Sequence, residues 1–393
     1  MSLSDFLAPV RDSIISFNNK EWHSQTIAGQ LAIHKELEGV PDLTDIKVAL
    51  IGIVEDRGAL NNTGCKSAPD EIRHYLYPLY TGKWKNKIAD LGNIYPGETL
   101  DDSHAALKSI CTELLKKGIT PIILGGSQDM TYANYRAYDS MEQSVNLVSI
   151  DARFNLGEHN QSLNSSNYLS HVILKKPHLL YNFSQIGYQT YFTNQHEIEL
   201  MDRMYFDVHR LGHFRNNIQE TEPILRDADL VSFNLSAIRH PDAPGNANSS
   251  PNGFTGEEAC ALSRYAGISD KVSSFGIYEC NPSKDFNGQT AHLVAQMVWY
   301  FIEGFNARKG DYPIASKKDY KRFTVLMEEG DHELIFYKSH LSDRWWIEVP
   351  ITEIGTFAKR TRHKLIPCSI SDYKKACQNE TPTRWWSAMK KNM

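Results

Sequence analysis

Chemistry in this 393-residue chain is expected where apolar runs break into polar clusters. Ser149-Ile150-Asp151-Ala152-Arg153-Phe154-Asn155 is the leading case. It ends an apolar, β-branched run (Val145, Leu147, Val148, Ile150) that reads as a buried strand. In an α/β protein the C-terminal end of such a strand borders the crevice where ligands bind. A carboxylate, a guanidinium and an amide would share that crevice. Three other stretches have the same form. Gly125-Gly126-Ser127-Gln128-Asp129 follows the strand around Pro121 to Leu124, and Ser232-Phe233-Asn234-Leu235-Ser236 closes one that begins near Leu230. Tyr278-Glu279-Cys280-Asn281-Pro282, with Asp285 and then Gly288-Gln289-Thr290-Ala291, follows the strand from Val272.

In this order and at these separations the four stretches resemble the motifs of the ureohydrolase family, which includes arginase, agmatinase and formimidoylglutamase. The family patterns are Gly-Gly-Asp-His, Asp-Ala-His-x-Asp, Ser-Phe-Asp-x-Asp and Glu-x-Asn-Pro-x-x-Asp, with Gly-x-Thr-Ala opening the last helix. The likeness spans residues 45 to 309 and includes Gly64-Cys65-Lys66-Ser67-Ala68-Pro69, Ile72-Arg73 and Asp90-Leu91-Gly92-Asn93-Ile94. It implies a three-layer α/β/α fold with a mostly parallel sheet. It also implies two Mn²⁺ ions, held by two His and four Asp, that acidify a bridging water for attack on a guanidinium or amidine carbon.

Mapped residue by residue, the six ligand positions fall on Gln128, Asp151, Arg153, Asn155, Asn234 and Ser236. Of these only Asp151 is a ligand of the family's type. Two divalent ions need several anionic oxygens and neutral imidazoles to replace their lost water. Arg153 is instead a permanent cation. The expectation is therefore a chain without manganese or any other metal cofactor. Arg153 would fill the ion space and pair with Asp151 and with Glu279.

Three functional readings follow. The first is a catalytically inactive member of the family, a pseudoenzyme acting as a binding or scaffold component. The second is a working amidinohydrolase, such as a formimidoylglutamase, that cleaves a C–N bond of a linear amidine with an atypical metal site. The third is metal-independent chemistry using Arg153, Glu279 and a nearby His.

Candidate ligand-binding residues are Glu279, Asn167 and His159. Through the resemblance, Glu279 would hold a guanidinium or amidine nitrogen; alternatively it pairs with Arg153. The loop from Leu156 to Leu169, with His159 and Asn167, sits where the family recognises the polar end of its substrate. His159, His171 and His240 are candidate acid–base groups against a simpler reading as solvated histidines. His209 and His213, four apart, would share a helix face.

The elements that must position these groups alternate strand and helix to about Asn306, as expected for a parallel sheet covered on both faces. Residues 1–45 read as a helical segment and 46–309 as the α/β domain. Val48 to Ile53 reads as a strand, and Asp101 to Lys117 as a helix stopped by Gly118. Residues 310–393 form a small β-rich extension with three short strands (Arg322–Met327, Leu334–Tyr337, Arg344–Val349). Glu329 to His332 and Leu341 to Asp343 are its turn candidates, and its helix-like tail ends in Arg384-Trp385-Trp386. Trp345, Trp346, Trp385 and Trp386 either pack this extension onto the domain or bind a protein partner or a second copy.

A formal charge of -5 supplies no basic patch for nucleic acid. No apolar run approaches the ~18 residues of a membrane span. Six cysteines without a C-x-x-C pair, and an N-terminus without signal-peptide features, point to reduced thiols in the cytoplasm.

Overall fold

The computed structural model describes residues 3–15, 22–158, 160–312, 318–327, 333–350 and 365–392. Nine strands form one sheet: β1 (Ala32–Ile33), β2 (Ile46–Ile53), β3 (Lys87–Ile94), β4 (Thr120–Leu124), β5 (Val145–Ile150), β6 (Leu180–Tyr188), β7 (Asp207–Arg210), β8 (Leu230–Asn234) and β9 (Ser274–Tyr278). Their order is β1-β3-β2-β4-β9-β8-β5-β6-β7, and each pairing is parallel. The central strands are apolar at consecutive positions because both faces are covered. On β2, Val48 and Leu50 pack with the helices Ala68–Leu76 and Gln289–Asn306, whereas Ala49 and Ile51 pack with the helix Leu100–Lys116. Three layers result, with the C-terminal ends of β4, β5, β8 and β9 side by side.

Local signals account for the element limits. Thr99 and Asp102 form a reciprocal cap that starts Leu100–Lys116, and Gly118 ends it at φ +69°. The upstream likeness proves to be a buried ion-pair network. Arg73 Nε and Nη2 each donate to Asp90 at 2.8 Å, and Tyr77 adds a 3.0 Å bond to the same carboxylate. The expected helical character of residues 1–45 is corrected. Among the described residues this segment has only short turns of helix (Leu3–Asp5, Asp12–Ile15, Ile27–Gln30), and β1 extends the sheet by pairing with β3. Ala8 also exchanges two backbone hydrogen bonds with Asn93 of β3. This approach is so close that a Cβ on Gly92 would collide with the Ala8 carbonyl.

The extension is a four-stranded antiparallel sheet of β10 (Tyr320–Leu326), β11 (Glu333–Ser339), β12 (Trp345–Glu348) and β13 (Leu365–Cys368). The fourth strand escapes the three-strand expectation. The tail forms two helices, Ile370–Cys377 and Thr383–Asn392, and runs past the second Arg-Trp-Trp triplet. The turn candidate Glu329 to His332 lies outside the described residues, while Leu341 to Asp343 does turn between β11 and β12.

Charged side chains seat the extension on the large sheet's outer elements. Buried Arg226 stacks on Trp346 at 4.4 Å, donates to the Cys368 carbonyl at 2.9 Å and meets Glu222 at 3.2 Å. Arg384 bridges Glu220 and Asp372. Trp345, Trp346 and Trp385 are buried, so they hold the unit together and are not free for a partner; Trp386 is 46% exposed.

Candidate functional site

Asp151, just beyond the end of β5, is buried and accepts three hydrogen bonds. Oδ1 takes the Ser236 hydroxyl at 2.7 Å and the Arg153 backbone N–H at 3.1 Å; Oδ2 takes the Asn155 amide at 2.6 Å. The neighbouring turns arrange these donors. Asn234 closes β8, and its side-chain oxygen accepts the Ser236 N–H at 2.9 Å, which turns the chain and brings that hydroxyl over Asp151. Asn155 sits at φ 56°, a left-handed conformation that Asn adopts more readily than most residues. Burial pushes the Asp151 pKa up, while Ser236, the Arg153 N–H and Asn155 oppose the rise.

Gln128 follows the Gly125-Gly126 turn, where both glycines have positive φ. Its side chain donates to Ser232 at 2.8 Å and Thr131 at 3.2 Å, and its backbone N–H donates to Glu279 at 2.8 Å. Glu279, itself at φ 69°, also accepts the Asn62 amide at 2.7 Å. Burial pushes its pKa up to about 7. The Asn62 and Gln128 hydrogen bonds oppose that rise, and the negative charges of Asp129 and Asp151 add to it.

The expected placement of Arg153 is corrected. Its guanidinium lies over the Phe192 ring at 4.1 Å, and among the described residues it makes no ion pair with Asp151 or Glu279. Both carboxylates already have donors on each oxygen. An aromatic face is then the favourable seat for a half-exposed cation.

Sequence reasoning missed two features. One is an amide clamp: Asn62 bonds Glu279, the Asn62 side-chain oxygen accepts from Asn281 at 3.0 Å, and Asn246 bonds the Glu279 carbonyl at 3.2 Å. The other is the buried pair of His104 and Asp129 at 2.7 Å. Asn62 lies in a loop rich in Gly and Asn, a composition that signals turns but names no partner; nothing in the spacing joins His104 to Asp129.

Asn167 is buried and fully used as a loop brace. It accepts from Asn164 N–H at 2.8 Å and donates to the carbonyls of Glu158 and Ser162, both at 3.1 Å. His159 lies outside the described residues. His171 packs edge-on to Tyr132, and His240 is exposed. His209 is on β7 and His213 in the next short helix, so the expected shared helix face does not exist, although their rings are 5.9 Å apart. Among the described residues there is no group of three or more His, Cys, Asp or Glu side chains arranged to hold a metal ion.

Residues 46–303 match the arginase family. The chain belongs to that family. Formimidoylglutamase of Staphylococcus aureus strain MRSA252 is 26% identical over 294 residues, covering 72% of this chain and 92% of the relative. Among solved structures, Trypanosoma cruzi formiminoglutamase with Mn²⁺ superposes with a TM-score of 0.64 at 19% identity, over 72% of this chain and 99% of that one. The agmatine ureohydrolase of Thermoplasma volcanium gives 0.58 at 22% identity, over 70% and 95%. These likenesses establish an arginase-like α/β fold, and the arginase-family match stops before the C-terminal extension.

The arginase-family loop from Arg239 to Gly253 is scaffold. Arg239 pairs with Asp242 at 2.9 Å, and Gly245 N–H donates to Thr290 at 2.7 Å. Asp285 caps the helix Gln289–Asn306 through the Thr290 and Ala291 N–H groups at 2.8 and 2.9 Å. The strand ends of this arginase-family chain thus come together as the motifs require, with hydrogen-bond donors now directed at their acids.

Proposed function

We propose that this arginase-family chain is a non-catalytic binding or scaffold component whose strand-end pocket is tied by its own hydrogen bonds. The observation that carries this reading is the surroundings of Asp151. Ser236, Asn155 and the Arg153 N–H, all at positions where the resemblance places metal ligands, present hydrogens to its two oxygens. A metal ligand must instead aim a lone pair at the ion. One carboxylate with amides, a hydroxyl and a guanidinium does not fit two divalent cations. Glu279, with donors on both oxygens, offers little to a guanidinium or amidine ligand. Melting curves with agmatine and guanidinium, which lack a carboxylate, are expected to stay flat.

The same proposal carries a cytoplasmic location, supported by six unpaired cysteines, five of them buried. It also carries a protein partner or a second copy docked on the extension, with Trp386 as the exposed aromatic.

A second reading, an active formimidoylglutamase, is favoured by the named relatives that align over 92% of their length. Elemental analysis of protein purified in excess manganese, together with formimidoylglutamate turnover, decides between them. Substoichiometric metal and no turnover are expected. Two equivalents of manganese with turnover would establish the second reading and overturn the first. In the variant Ser127→Asp, Gln128→His, Arg153→His, Asn155→Asp, Asn234→Asp and Ser236→Asp, manganese uptake is expected to return.

A further inference from the structure

We propose that the large α/β unit and its C-terminal extension together form a binding site for a small zwitterion, a free amino acid or a molecule with the same charge pattern. The site is the cavity of about 620 Å³ between β7 and the helix Thr383–Asn392. Its size falls within the usual range for small-molecule sites, which favour junctions between units. One wall comes from the end of β6 and from β7, with Tyr188 and His209; the other comes from Thr383 and Ser387 of the tail helix. This cavity is separate from the Asp151 site, so the inference holds under either reading of that site.

The charge pattern identifies the ligand class. Asp207 is taken by Lys391 at 2.5 Å, and Arg384 beyond the wall is taken by Glu220 and Asp372. Burial, reinforced by nearby Arg384 and Lys391 against the pull of Asp207, lowers the His209 pKa to about 4, so that imidazole is neutral at pH 7. Two lining charges remain, Asp202 and Arg210. Both are exposed, and among the described residues neither side chain enters an ion pair or hydrogen bond. Tyr188 feels both, the cation lowering and the anion raising its pKa beneath a larger rise from burial.

An anion alone would satisfy only Arg210, and a cation alone only Asp202. A ligand with an ammonium and a carboxylate satisfies both, the carboxylate lying across the planar guanidinium fork. Neutral imidazole and hydroxyl groups complete its hydrogen bonding, and Phe206 and Val208 offer apolar surface to a side chain. Because the walls belong to different units, occupancy would also hold the extension in its seat.

The test uses the full chain, with thermal shift and calorimetric titration of each standard free amino acid at ~10 mM. At least one is expected to raise Tm and bind. Its N-acetyl and carboxamide derivatives, which each delete one charge, are expected to bind about tenfold more weakly or worse. Asp202→Asn and Arg210→Gln should each cause a similar loss with an unchanged ligand-free Tm, since both side chains are exposed. The proposal is overturned if no amino acid binds, if either derivative binds as well as its parent, or if both variants bind like the native chain.

Discussion

Glu279→Gln, measured across pH, tests the electrostatics of the strand-end pocket most directly. Burial moves the Glu279 pKa from 4.5 to about 7 in the folded chain. The sign follows from linkage. A carboxyl group raised on folding contributes stability that is fully present below its unfolded value and lost as pH rises through its folded value. At about 1.4 kcal/mol per pH unit, the native chain should lose roughly 3 kcal/mol relative to the variant between pH 4.5 and 7. Gln is uncharged throughout, so subtracting its stability removes most contributions from other groups, including Asp151, whose pKa is raised in the same direction. Urea unfolding of both proteins at half-unit pH steps gives the difference. A difference that stays constant, or one that grows in favour of the native chain as pH rises, would refute the reasoning. The second outcome would mean that a nearby cation holds the carboxylate ionised, as bound divalent metal would. The experiment therefore also bears on the choice between the two functional readings.

Arg226→Met leaves the Cys368 carbonyl without its buried donor and Glu222 with Arg344 at 3.5 Å as its remaining cation among the described residues, so it should cost about 1–3 kcal/mol. Limited proteolysis should then cut first within residues 310–393. Arg73→Met strands buried Asp90 and should destabilise the α/β unit by a larger ~3–5 kcal/mol in urea, with little change in how the extension is cut. Ser236→Ala removes one of three donors to Asp151 and should cost about 1–3 kcal/mol. It should also raise the Asp151 pKa further, visible as a loss of stability with rising pH that is larger and continues to higher pH than in the native chain.

The parts of the fold legible in the sequence are those where burial dictates composition. β2, β4, β5, β8 and β9 are covered on both faces and so read as largely apolar runs with few polar interruptions, each followed by a polar cluster. β1 has two residues and β13 four, one of them a proline, too short for any period to show. Within the site, the sequence located the strand ends but not the directions of their side chains. Arg153 points to Phe192 because a ring from the turn after β6 happens to offer it a face, and residues so far apart leave no spacing signal. The amide clamp of Asn62, Asn246 and Asn281 is similarly hidden, since loop asparagines follow no periodicity and their partners are set by tertiary packing. The tryptophans drew attention by composition alone, and only their burial separates Trp346 from Trp386.

Bringing Asp129, Asp151 and Glu279 to the ends of β4, β5 and β9, within one run of four parallel strands, creates a repulsion that this chain must relieve. Two divalent cations would relieve it by opposite charge, and would drive the pKa values of Asp151 and Glu279 down. In this chain the relief is distributed. His104 faces Asp129 at 2.7 Å, three donors converge on Asp151, and Asn62 with the Gln128 N–H takes both oxygens of Glu279. These donors are mostly neutral dipoles, and dipoles offset desolvation only in part, which is why Asp151 and Glu279 retain raised pKa values despite being fully hydrogen-bonded. Protonation of Glu279 near neutral pH removes the remainder. On the proposed non-catalytic reading, an arriving cation would have to break the hydrogen bonds that already hold the strand ends together.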